Sequence, residues 1–316
     1  MGGLAVAGGL LALMLAGVTE AGPEVGDGRL AATANGQTIC RIDGQRRVIV
    51  ACDAARPEVL RDLVGPTGPA APEFVALGCL PGDVVATVCR AGDAWSLRTY
   101  RTEPGRAVDA GEPLQEIAIG RASGPAATVD LAVSHARGWL VVTGLPAPLP
   151  PVLRGILAGV RVGPLSDRSC PRPEAGWRPV AAAVSPLDEL VLLLRSDGAA
   201  AGSEPEQEIL AFYDTSGRQL LRLPAGVRRA AGLDYSRSDG TLWTVAEADG
   251  GRVGVWRLDA AYDKGRQLVR PSFVSPCTRP RDIVCPSSRR VFIAHGEPPA
   301  SLMAIDAAAT SSGAEP

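Results

Sequence analysis

The chain is poor in the residues that most enzyme chemistry depends on. Its 316 residues hold two histidines, His135 and His295, a single asparagine, Asn35, and a single lysine, Lys264. So few imidazoles argue against a histidine-rich metal centre. No Cys-x-x-Cys pair occurs among the seven cysteines, which excludes a zinc site of that type. No serine stands in a Gly-x-Ser-x-Gly setting, so a hydrolase elbow is absent. The net charge of −2 leaves no broad electrostatic basis for binding nucleic acid. Aromatic residues make up only 4%, so the core must pack through Val, Leu, Ile and Ala, which the 46% hydrophobic content amply supplies.

What is abundant is a repeated phrase. Residues 279–296 read RPRDIVCPSSRRVFIAHG: an apolar run, a turn at Pro286, Ser287 and Ser288, and a second apolar run. That pattern predicts strand, tight turn, strand. It recurs at 231–247 (AGLDYSRSDGTLWTVAE), 179–196, 127–144, 73–89 and, most degenerately, 37–53 (QTICRIDGQRRVIVACD). The second runs begin at Val48, Val84, Leu140, Leu190, Leu242 and Val291. By subtraction their spacings are 36, 56, 50, 52 and 49 residues. Further strand pairs fall between copies, as at 208–213 and 218–223 around the turn at Asp214–Gly217. A lone hairpin cannot bury its apolar face, so such units must stack, and ring closure removes their edges.

The phrases AGLDYSRSDGTLWTV and ILAFYDTSGRQLLRL resemble the inner and outer strand pairs of NHL/TolB-like β-propellers. The resemblance runs over residues 28–308 and implies an all-β ring, most simply of six blades with up to four antiparallel strands each. It also implies closure by the N-terminus: residues 28–34 look like a strand without a blade of its own, expected to complete the last blade beside 301–306. Five or seven blades remain alternatives, because the first unit is short. The missing Trp-Asp dipeptide argues against Trp-Asp repeats.

Residues 4–18 are apolar and too short for a comfortable membrane span, matching the core of a signal peptide. The first basic residue is Arg29, so the usual positive flank is missing, and a short membrane anchor or an apolar tail on a cytosolic protein stay open. The expectation is a signal or apolar segment at 1–27, a propeller at 28–308, a tail at 309–316, and a secreted or periplasmic protein. The cysteines read first as small buried hydrophobes, with disulfide bonding of some as the competing reading. Loop 144–151 (GLPAPLPP) is proline-rich. Loop 196–207 (SDGAAAGSEPEQ) is expected to be mobile and dispensable.

Strand alternation puts the loops after the second strands and the linkers before the first strands on one rim. That predicts Asp53, Asp93, Glu247, Asp249, His295 and Glu297 on a common side, as candidate ligand contacts. The plainer reading is that strand ends meet water and carry charge. His295 beside Glu297 would serve acid–base chemistry only if a substrate reached it. Trp139 and Trp243 read as packing residues. Two functions follow. One is an exported, non-catalytic binding or scaffold propeller for a protein or cell-surface polymer, with no nucleic-acid partner and no cofactor. The other, implied by the resemblance, is a metal-dependent hydrolase of the lactonase type with its site in the channel. The single asparagine counts against the second, although calcium would need only oxygen ligands, as from Asp53, Glu247 and Asp249 if they turn inward.

Overall fold

In a computed structural model the chain is described from residue 27 to 306, except 45–46, 66–71, 103–107, 110–111, 125–127, 197–206, 237–238, 249, 264–265, 288–289 and 299. The described residues form strands and turns only, in six sheets. Blade 1 opens with β1 (Leu30–Ala32), β2 (Thr38–Asp43), β3 (Val48–Asp53) and β4 (Arg56–Gly65). Blade 2 has β5 (Glu73–Leu80), β6 (Val84–Ala91), β7 (Ala94–Arg101) and β9 (Gln115–Arg121); between its last two strands β8 (Val108–Asp109) reaches back and pairs parallel with β4. Blade 3 has β10 (Asp130–Ser134), β11 (Trp139–Thr143), β12 (Val152–Ala158) and β13 (Arg161–Val162). Blade 4 has β14 (Trp177–Val184), β15 (Leu190–Ser196), β16 (Glu208–Tyr213) and β17 (Gln219–Pro224). Blade 5 has β18 (Arg228–Tyr235), β19 (Leu242–Ala248), β20 (Arg252–Asp263) and β21 (Arg266–Pro276). Blade 6 ends the ring with β22 (Pro280–Ser287), β23 (Arg290–His295) and β24 (Ser301–Asp306).

The innermost strands β1, β5, β10, β14, β18 and β22 each touch the next, and β22 touches β1. The chain is therefore a closed six-bladed β-propeller. Six apolar clusters fill it, one per blade–blade interface. Along β23, Val291 and Ile293 pack toward blade 5 while Phe292 and Ala294 pack toward blade 1. Successive side chains point to opposite faces and both faces are covered, so the second strands read as unbroken apolar runs such as LVLLL. Inner strands approach so closely that Gly78 of β5 has no room for a Cβ, which would meet Leu131 Cδ2 at 2.1 Å.

Closure differs from the expectation. The strand at the start of the chain does not join blade 6; β1 pairs antiparallel with β2 and forms the innermost strand of blade 1. The 37–53 phrase is accordingly the second and third strands of its blade, one strand out of phase with the other copies. Taking Thr38 as the second-strand start, the spacing to Val84 becomes 84 − 38 = 46 residues, in line with the later units. Blade 6 meets blade 1 through side chains instead. Asp27 accepts from the Ala300 and Gly44 amides at 3.0 Å each, and the Arg41 guanidinium donates to the Ala300 carbonyl. Most of the loop at 196–207, expected to be mobile, and the whole of the tail at 309–316 lie outside the described residues.

Candidate functional site

Inner strands run from an upper rim, where linkers arrive, to a lower rim of hairpin turns; second strands run back up. Asp93, Glu247, His295 and Glu297 lie on the upper rim, after or at the ends of β6, β19 and β23. Asp53 does not. It ends a third strand, and third strands run downward, so it sits on the lower rim; the neighbouring Ala54 carbonyl there accepts from Arg290, at the lower start of β23. The corrected phase of blade 1 is the reason. Asp249 lies outside the described residues. His135, in the β10–β11 turn, is on the lower rim, opposite His295 as expected.

The upper-rim carboxylates are each engaged by an arginine. Asp93 pairs with Arg121 at 3.7 Å, Glu247 with Arg229 at 3.2 Å, and Glu297 with Arg279. In blade 2 the polarity reverses, Glu73 preceding Arg90, with a contact of 2.6 Å. Arg229 and Arg279 occupy matching places where the linker turns into the inner strand of blades 5 and 6. Both adopt left-handed backbone, with φ of 49° and 47°. A non-glycine residue there costs on the order of 1 kcal/mol. His295 is half-buried, and its Nδ1 is buried without a hydrogen-bond partner among the described residues.

The channel itself is lined by one or more residues of each inner strand, such as Ala31, Gly78, Ala132, Ala183, Leu233 and Ile283, around a cavity of about 90 Å³. Three aspartates stand in its wall, and all three do the same thing. Asp130 accepts from the Leu131 amide at 2.8 Å with Oδ1 and from the Ala182 amide of blade 4 at 2.9 Å with Oδ2. Asp234 accepts from Tyr235 at 2.8 Å and from Cys285 of blade 6 at 2.7 Å. Asp282 accepts from Ile283 at 2.8 Å and from Leu30 of blade 1 at 2.9 Å. Each carboxylate thus clasps its own strand to the next blade's inner strand, satisfying amides that face the channel without a ladder partner. Burial pushes the Asp282 carboxyl up to about 7; Arg29 opposes the shift and Asp130 adds to it. Arg29, itself buried, reaches from blade 1 toward the Ala231 carbonyl of blade 5 at 3.4 Å. Among the described residues no three His, Cys, Asp or Glu side chains converge as a metal would require.

These clasps escaped sequence reasoning, although a signal was present: TVDLAV, RPRDIV and GLDYS each place an aspartate before an apolar residue in the inner strand. Trp139 and Trp243 are buried packing residues as expected. The proline-rich loop lies on the upper rim, where Pro148, Pro150 and Pro151 with Pro171 and Pro173 line a hollow of about 380 Å³. No described helix is long and apolar enough to cross a membrane.

No protein family and no curated protein matches the chain. Solved structures do. Hydrazine Synthase of Kuenenia stuttgartiensis is similar at 14% identity and a TM-score of 0.56, over 95% of this chain and 83% of that one. A protein of unknown function from Bacteroides thetaiotaomicron gives 10% and 0.53, over 88% and 70%. A chain of the Nidogen/Laminin complex gives 14% and 0.50, over 89% of each. At such identities the likeness shows the propeller fold and nothing finer.

Proposed function

We propose that the protein is an exported, non-catalytic binding propeller that engages a protein or cell-surface polymer through its upper rim, chiefly over blades 5 and 6. The observation that carries this reading is the matched pair of left-handed arginines. Exposed ion pairs contribute about 0–1 kcal/mol, so Arg229–Glu247 and Arg279–Glu297 do not offset the backbone strain that positions them. Strain of this kind concentrates where a side chain is held for a ligand. Binding is favoured over hydrolysis because the channel carboxylates are committed to backbone amides and the cavity is small for a substrate, ligand pockets being about 300–1,000 Å³.

The test is capture of cross-linked partners by the exported protein, comparing wild type with Glu247→Arg and Glu297→Arg. Arg137→Glu serves as a lower-rim control. The reading expects the upper-rim variants to lose the captured species and the control to keep it. Equal capture by all four proteins contradicts it.

A further inference from the structure

We propose that Cys40 and Cys79 form a disulfide that staples blade 1 to blade 2 when the chain folds under oxidising conditions. The two residues lie on β2 and β5, in the cluster shared by those blades with Ile42, Ile49, Val85 and Tyr100. Both are 2% exposed, and Cys79 stands near enough to Cys40 to be the largest influence on its thiol. In the structure all seven cysteines are free thiols. The others for which a thiol partner is seen face the backbone: Cys52 donates to the Ile39 carbonyl, Cys89 to Thr87 and Cys170 to Ser166.

The place matters for the ring. Blade 1 is held to blade 6 by the Asp282 clasp and by Asp27, both non-covalent. On its other side β8 already straps blade 2 to the edge of blade 1. A covalent bond at the inner end of that interface would make blades 1 and 2 one unit. The neighbouring Cys79, and then burial, hold the Cys40 thiol well above its ordinary value. The Cys40 thiol is therefore protonated and both thiols are shielded by burial, so exchange takes place before the blades close.

With oxidised glutathione as oxidant, one cysteine thiolate attacks a sulfur of the glutathione disulfide. That bond breaks, and one glutathione thiolate leaves. The second cysteine thiolate then attacks the protein sulfur of the mixed disulfide and expels the second glutathione. Two protein thiols are oxidised, one glutathione disulfide is reduced, and the two cysteine protons end on the two glutathione thiols.

The experiment refolds the full denatured chain with oxidised glutathione, removes the oxidant, and counts thiols by alkylation under denaturing conditions. The result expected is 7 − 2 = 5 alkylated cysteines, from the seven in the sequence, with a non-reducing peptide map joining Cys40 to Cys79. Cys40→Ala should give six alkylated cysteines and no cross-link. The bond closes a loop of 79 − 40 = 39 residues, and should raise the melting temperature by about 5–10 °C over the reduced chain. Seven free thiols in the refolded wild type, or a cross-link joining another pair, overturns the proposal. Because the count is made on denatured protein, it holds whether or not a variant folds.

Discussion

Replacing Asp282 by Asn tests whether the channel aspartates are clasps carrying a buried charge. In the folded chain this carboxyl is pushed up to about 7, chiefly by burial, against about 4 in the unfolded chain. The folded state therefore holds the extra proton between those values. The stability this contributes is fully present below pH 4 and is lost as pH rises through 7. Three units at 1.36 kcal/mol set a ceiling near 4 kcal/mol over pH 4 to 7, of which the two units above pH 5 leave a loss of about 2–3 kcal/mol between pH 5 and 8. Asn keeps one acceptor and carries no charge. Urea denaturation at pH 5, 6.5 and 8 should show the stability difference between Asp282→Asn and wild type moving in the variant's favour by about that amount, with m unchanged. A difference that stays constant across the range would refute the buried-charge reasoning. Asp282→Ala, which strands the Leu30 and Ile283 amides, should lower stability at every pH by about 2–5 kcal/mol.

Three further outcomes follow from the packing. Glu208→Ala leaves Arg195, its partner at 2.6 Å in a side chain 15% exposed, and the Ala230 amide without their acceptor; equilibrium unfolding should show a loss of about 3–5 kcal/mol. Phe292→Ala empties a fully buried site between blades 6 and 1 and should cost about 3–5 kcal/mol by the same measurement. Gly232→Ala drives a Cβ to 2.4 Å from Asp282 Oδ1 and 2.9 Å from the Ile283 amide nitrogen, so it should lower the melting temperature, and less so when Asp282 is already Ala.

Much of the ring was readable because its chemistry is local. Apolar runs divided by Pro, Gly, Asp and Ser turns gave the inner hairpins of blades 2 to 6 and several outer strands nearly to the residue, as in Glu208–Tyr213 and Ser301–Asp306, but not the outer strands of blade 3 or the length of β21. Blade 1 slipped by one strand because β1 is three small residues, Leu30–Ala32, while the β2–β3 hairpin carries the same phrase as an inner pair elsewhere. That slip moved Asp53 to the wrong rim. The spacing of 36 residues was its trace in the sequence. The clasps were illegible for a different reason: their acceptors are named by the sequence, but the donors Ala182, Cys285 and Leu30 are fixed only when neighbouring blades meet. The rim pairs Arg229–Glu247 and Arg279–Glu297 join residues 18 positions apart, and the backbone strain beneath them has no sequence signature at all.

Metal analysis combined with lactone and ester turnover on the purified full chain bears most directly on the central claim, that the upper rim binds while the channel performs no chemistry. Wild type should carry no stoichiometric calcium or zinc and turn over none of the substrates, and Glu247→Ala and Asp130→Asn should not change either result. Stoichiometric metal together with turnover that disappears in Asp130→Asn or Glu247→Ala would contradict it.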